Sequence, residues 1–319
     1  MDKRTGPLFG DDMKRVAFLW DPVFLEHRTP PGHPESPRRL KSILDHVGTS
    51  GLLGRLMSIP ATPAPREDLL AVHDRAYLDE LALPGERYLD PDTFISSRSW
   101  EAALAAAGAV CCALDSCRAG EVSRAFCAVR PPGHHAEPTR GMGFCLINNA
   151  AVAARHAQRI GYPRVMIVDF DVHHGNGTQA AFYDDDTVFY FSTHEYPHYP
   201  GTGAAGERGV GKGAGFTRNI PLSRGSGDTE LRHAYHEVFR AETAAFRPDC
   251  CIVSAGYDLH EGDPLADLAV SDQGVREIVH TIVAACAGIP IVCTLEGGYH
   301  LATLARCVGI TLEELLAGR

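Results

Sequence analysis

Read for hydrophobic and polar positions, the chain alternates two kinds of segment. The first kind is short and apolar throughout: RVAFLW (15–20), RAFCAVR (124–130), RVMIVDF (164–170), TVFYFST (187–193), DCCIVSA (249–255) and IPIVCTL (289–295). Runs that are apolar at successive positions suit strands covered on both faces. The second kind is longer, with helical spacing and good helix formers: 36–47, 99–118, 148–160, 227–246, 271–286 and 301–317. Ser99 is placed to cap the helix SWEAALAAAGAVCCALDSC. Ser271 or Asp272 would cap a later helix that Gly288 stops. The alternation predicts an α/β fold, with a mainly parallel central sheet flanked by helices on both faces. No linker rich in Pro, Gly or Ser divides the chain, and no repeat is visible. The expectation is a single domain over 15–319 behind a flexible N-terminal arm, 1–14.

Composition narrows the picture. Hydrophobic residues make up 45% and charged residues 22%, which suits a globular protein with a large core. A formal charge of -10 repels nucleic acid and anionic membrane, so neither is expected as a direct partner. The ten cysteines include no C-x-x-C and lie mostly in apolar runs, which reads as buried free thiols in a reducing cytoplasm. No apolar stretch approaches the ~18 residues of a membrane span, and the first residues lack the apolar centre of a signal peptide. A cytoplasmic protein is expected. Homo-oligomer formation is left open by one sequence.

In a parallel sheet, ligands bind beyond the carboxyl ends of the strands. Polar clusters stand at those ends: RPPGHHA after 124–130, DFDVHHGNG after 164–168, Asp258 after 249–255, and EGGY after 289–295. In an extended segment Asp169, Asp171 and His173 share one face. Asp171, His173 and Asp258 make three ligands and leave a position open, as a catalytic divalent-metal site requires. His134 and His135, fixed by flanking prolines and glycines, are placed as acid/base groups beside that metal. Asp169 is a natural orienting partner for one imidazole and Asn176 for the other. His174 reads as structural, and His194, His198, His260 and His300 carry no assignment. Asp90 and Asp92, in a proline-containing loop, read as a solvated loop in preference to a site that binds a substrate backbone. Gly206–Lys212 matches a phosphate-loop spacing, but Gly213 stands where Ser or Thr is needed, so nucleotide binding is rejected.

The segments RPPGHHA, GFCLINNAAVAA, VDFDVHHGNGTQ, HYPGTG, SAGYDLHEGDPL and LEGGY together resemble the histone deacetylase superfamily. The likeness is strongest to its class II and bacterial amidohydrolase branch, which includes acetylpolyamine amidohydrolases. The resemblance implies an arginase-like fold and a zinc-dependent enzyme that releases acetate from acetylated lysine side chains or related N-acetylated amines. Asp171, His173 and Asp258 would hold zinc, or ferrous iron. His135 would be general base and acid, His134 its electrostatic partner, and Tyr299 a donor to the oxyanion. Gly143, Phe144 and Tyr199 would line the channel, and Arg39 would lie behind the metal near an acetate exit. A structural potassium would involve Asp169, Asp171, His173, Ser192 and Thr193. Asn176 stands where some relatives carry Asp, and Tyr199 where others carry Phe. Leu265 occupies a position at which polyamine-selective relatives carry Glu, which favours acyl-lysine over acetylpolyamine. Two further readings are a binuclear-manganese ureohydrolase and a non-catalytic acyl-lysine binder. The first needs more bridging ligands than these strand ends offer, and the intact ligand set with Tyr299 opposes the second.

Overall fold

In the computed structural model, residues 15–318 are described; the expected arm, 1–14, lies outside them. In chain order the strands are β1 (Val16–Leu19), β2 (Met57–Ser58), β3 (Arg87–Tyr88), β4 (Phe94–Ile95), β5 (Arg124–Cys127), β6 (Val165–Asp169), β7 (Val188–Glu195), β8 (Thr217–Leu222), β9 (Cys250–Ala255) and β10 (Ile291–Leu295). The α-helices are α1 (Pro37–Thr49), α2 (Arg66–Leu70), α3 (Arg75–Leu81), α4 (Ser99–Arg118), α5 (Asn149–Arg159), α6 (Asn176–Phe182), α7 (Asp228–His233), α8 (Arg240–Phe246), α9 (Asp272–Ala285) and α10 (Leu301–Ala317). Eight strands form one sheet in the order β2-β1-β5-β10-β9-β6-β7-β8, and every pairing in it is parallel. Two groups of mutually packed helices flank it, α4 with α5 and α1 with α10 and α9.

Strands β1, β5, β6, β7, β9 and β10 are buried along their whole length, which is why each reads as a continuous apolar run. Strand β8 was not expected. It lies at the sheet edge, only partly covered, and its TRNIPL sequence carries polar residues and a proline that an edge tolerates. The predicted helix over 227–246 runs through as α7, a π-helical stretch (Ala234–Phe239) and α8. Helices α2, α3 and α6 were not foreseen; they span at most two turns and depend on tertiary packing.

Two expectations about helix ends need correction. Ser99 is the first helical residue rather than the cap: its hydroxyl accepts from the Ser96 N–H at 2.7 Å and bonds His27 at 2.7 Å. Helix α9 ends at Ala285, before Gly288. The Ser271 cap is present, with its hydroxyl accepting from the N–H groups of Gln273 and Gly274. Among the described residues α4 alone is long and apolar enough to cross a membrane, and it is mostly buried against α5 and β5.

Phe126 at the centre of β5 is fully buried and stacks on Phe18 with ring centroids 6.3 Å apart. Replacing it with Ala removes those contacts and leaves a cavity within the sheet's core. Phe126→Ala is expected to cost about 3–5 kcal/mol. The check is a urea titration in which the midpoint falls and the slope is unchanged.

Candidate active site

Strands β5, β10, β9 and β6 are neighbours in the middle of the sheet. Because all four run in parallel, the segments that follow them leave from one edge and converge. These segments carry His134 and His135, then Glu296 to Tyr299, then Asp258, then Asp169 to Asn176.

The seat of the site is Asp171, His173 and Asp258, whose ligand-type atoms lie within 4.8 Å of one another and are buried. Backbone donors aim the carboxylates. Asp171 accepts from the N–H of His173 at 2.9 Å and of Gly297 at 2.8 Å, and Asp258 from that of Val172 at 3.0 Å. Asp258 Oδ2 is the orphan: it lies 3.2 Å from His173 Nδ1, yet it is buried without a hydrogen-bond partner. Burial, then the charge of Asp171, pushes the Asp258 carboxyl up to about 6. A bare oxygen facing a second carboxylate and an imidazole is the donor set of a borderline divalent cation. The residues therefore fit such an ion.

Above this seat the two imidazoles stand with centroids 4.0 Å apart. His134 Nδ1 is 3.1 Å from Asp169 Oδ2, which also accepts from the Tyr190 hydroxyl at 3.0 Å. His135 Nδ1 is 2.8 Å from Asn176 Oδ1. The Asn176 amide donates its N–H to Glu137 at 2.7 Å, which turns its oxygen toward His135. That oxygen can only accept, so His135 carries its proton on Nδ1 and presents a free Nε2 lone pair. Burial works against charge on both rings. For His134 the charges of Asp171 and Asp169 overcome it and raise the imidazole to about 10. For His135 burial and the neighbouring His134 charge act together and hold it well below its ordinary value. Adjacent residues of one type are thus a cation and a neutral base.

The EGGY turn is anchored below. Arg39 donates to Gly298 O at 2.7 Å and to Glu296 O, and its guanidinium sits 4.9 Å from the Tyr299 ring centre. The Glu296 carboxylate accepts from the N–H of Gly133 at 2.7 Å, from His134 N–H at 3.2 Å and from the Ser254 hydroxyl at 3.0 Å. It ties the His134 loop to the Tyr299 loop. The sequence reading missed Glu296, although it follows β10 directly as the other site residues follow their strands.

A cavity of about 210 Å³ opens above, walled by Gly143, Phe144, Tyr199 and Leu265, with His135 and Tyr299 deeper in. The Tyr299 ring meets Phe144 edge-on at 5.8 Å, and the Tyr199 ring meets His135 edge-on at 5.1 Å. Gly143 has φ +55°, and a Cβ there would press on the His135 ring and the Tyr199 hydroxyl. His198, unassigned by sequence, also lines this cavity, as does the exposed Asp92 at its mouth. The glycine-rich loop 201–215 follows Tyr199 in the chain and does not itself line the cavity. Glu207 accepts from the N–H of Gly203 and of Ala204 at 3.1 Å and from Gln179 at 2.6 Å, holding the segment that carries Tyr199. His174 and His194 bond Thr202 at 2.8 Å and Gly203 O at 2.9 Å behind that loop. His260 pairs with Asp272 at 3.0 Å, and His300 caps α10. Ser192 stands opposite Asp169 in the sheet ladder. The hydroxyls of Ser192 and Thr193 turn to His194 at 2.9 Å and Tyr235 at 3.2 Å.

Fold and rim define a class: a parallel α/β protein with a buried cluster of two carboxylates and one imidazole, fit for a divalent cation, under a narrow channel. Residues 33–315 match the histone deacetylase domain. A probable deacetylase of Archaeoglobus fulgidus is 39% identical over 311 residues, covering 95% of this chain and 86% of the relative. A histone deacetylase-like amidohydrolase of Pseudomonas aeruginosa is 38% identical over 330 residues, with the same coverage of 95% and 86%. The crystal structure of the HDA15 HD domain superposes with a TM-score of 0.91 at 38% identity, over 95% of this chain and 88% of that one. The chain belongs to the histone deacetylase family. Deacetylase-type amide hydrolysis is that family's chemistry.

Gly143→Ala is expected to narrow the channel without unfolding the sheet. Uptake of a linear N-acylated amine should weaken about tenfold or more, in keeping with the sensitivity of reactions to small misplacements. Binding of a straight-chain hydroxamate by calorimetry checks it, with a thermal melt as the folding control.

Proposed function

We propose that this chain is a cytoplasmic zinc-dependent deacetylase that removes acetyl groups from lysine side chains, with residues 15–319 as its catalytic domain. The observation that carries the reading is the orphaned Asp258 oxygen between Asp171 and His173, beside the paired imidazoles of His134 and His135. Asp171, His173 and Asp258 would hold zinc or ferrous iron. When bound, the ion polarises the amide carbonyl and makes the attacking water more acidic.

The residues of the chain do the rest. His135 takes a proton from the attacking water on its free Nε2 as the new C–O bond forms. Tyr299 donates its phenol O–H to the developing oxyanion; burial holds that phenol firmly protonated. His134, kept cationic by Asp171 and Asp169, supplies fixed positive charge beside the reacting centre. His135 then passes the proton to the leaving nitrogen as the C–N bond breaks, giving acetate and a free amine. Gly143, Phe144, Tyr199 and Leu265 would enclose the straight methylene chain and exclude water. A structural potassium would be held by Asp169, Asp171, His173, Ser192 and Thr193, where it would offset the buried negative charge of Asp169 and Asp171.

One observation favours a second reading. The Asp92 carboxyl at the channel mouth suits a distal ammonium, so acetylated polyamines are the alternative substrate. Leu265 offers no such charge and weights the choice toward acyl-lysine. The binuclear reading lacks support: none of the other possible ligand groups among the described residues shares a residue with Asp171, His173 and Asp258.

The test is metal analysis with turnover of an acetyl-lysine peptide and an acetylated polyamine, side by side. About one zinc or iron per chain with faster peptide turnover is expected, and binding without turnover of either would sink the enzyme reading. Tyr299→Phe should lower kcat about 10²–10³-fold, the range seen when one oxyanion donor is removed, with metal content unchanged.

A further inference from the structure

The phenol of Tyr299 sits at the tip of a Gly297-Gly298 turn in which Gly298 has φ +116°. Such a segment has wide backbone freedom, and holding it costs entropy that specific contacts must offset. Gly297 is held by its N–H bond to Asp171, and Gly298 by Arg39. Neither hydrogen bond reaches the backbone of Tyr299, whose ring meets the Arg39 guanidinium at 4.9 Å and Phe144 edge-on at 5.8 Å.

That last step falls to Asp263. Its carboxylate is buried to 8% exposure. Oδ2 accepts from the Tyr299 N–H at 2.6 Å and from the His300 N–H at 3.1 Å. Oδ1 accepts from the Leu265 N–H at 3.1 Å. Its own N–H is fixed by His260 O at 2.8 Å. One carboxylate therefore joins three backbone positions: the residue bearing the phenol, the first residue before α10, and a residue of the channel wall. Negative charge at that end of α10 also suits the helix dipole.

We infer that Asp263 is a positioning residue, which holds the Tyr299 phenol and the Leu265 wall in one fixed relation. The inference rests on the deacetylase reading. Its role is exerted through Tyr299, so its effect should vanish when the phenol hydroxyl is absent.

The experiment is a double-substitution cycle on the full chain, with metal content and thermal melting recorded for each variant. Asp263→Ala should lower kcat on an acetyl-lysine peptide roughly tenfold or more, the scale of a misplaced catalytic group. The same change in the Tyr299→Phe background should lower kcat less than about twofold, a strong departure from additivity. KM should rise a few-fold in both backgrounds, through the freed Leu265 wall. Asp263→Asn keeps the size and one acceptor oxygen, and is expected to retain part of kcat. If the alanine variant does not fold, the cycle is read with this one. Equal losses of kcat in the two backgrounds overturn the role of Asp263 and leave the deacetylase reading intact. Absence of wild-type turnover overturns both.

Discussion

Two carboxylates, Asp171 and Asp258, are held side by side in the interior, away from water. Elementary electrostatics opposes this: burial penalises each charge, and proximity penalises the pair. The chain answers with a shell of aimed donors and imidazoles. Backbone N–H groups from Val172, His173 and Gly297 point at the oxygens, and the His134 and His173 rings lie beside them. The compensation is incomplete, since Asp258 keeps one oxygen without a partner. A fold does not retain such a defect for stability. A divalent cation held there would remove it.

The same charge pair sorts the imidazoles above it. His134 is 3.7 Å from Asp171 Oδ1 and 3.1 Å from Asp169, so it sits in a field that favours the proton. His135 faces a neutral amide and a charged neighbour, so it sits in a field that expels one. Swapping a carboxylate for an amide behind otherwise equal rings divides the labour between them. A neutral base and a fixed cation at van der Waals distance then follow from four residues, without any unusual chemistry in the imidazoles.

How much of this was legible in the sequence depended on whether an identity left a pattern. Buried parallel strands such as VMIVD and CCIVSA declare themselves because both faces exclude polar residues. Strand β8 did not, because an edge position relaxes that demand. The convergence of Asp171, His173, Asp258, His134 and His135 was legible because a parallel sheet delivers its strand ends to one rim. Asp263 carried no such signal, and Glu296 carried only its place directly after β10. Each is one acidic residue in a glycine- or proline-bearing loop, and its meaning lies in which N–H groups it meets. Those contacts, Glu296 to Gly133 and Asp263 to Tyr299, join segments that only the finished fold brings together. Ser99 was misread for a related reason: its hydroxyl turned outward to Ser96 and His27 instead of capping its own helix.

Beneath the rim lies a buried ionic cluster whose purpose follows from energetics. Arg130 makes a two-point contact with Glu35 and donates to Phe24 O at 2.7 Å and His27 O at 3.0 Å, and Arg39 shares Glu35 at 3.3 Å. Well-packed apolar residues could stabilise this interior equally well, so stability is not what requires the charges. Apolar side chains could not donate in fixed directions. Arg130 begins the RPPGHH segment, and Arg39 holds the carbonyls of Glu296 and Gly298. One glutamate, Glu35, thus references the loop that bears the imidazoles and the loop that bears the phenol to a common point. On the proposed deacetylase reading, groups that would act on one carbonyl carbon within fractions of an ångström need that shared reference more than they need a drier core.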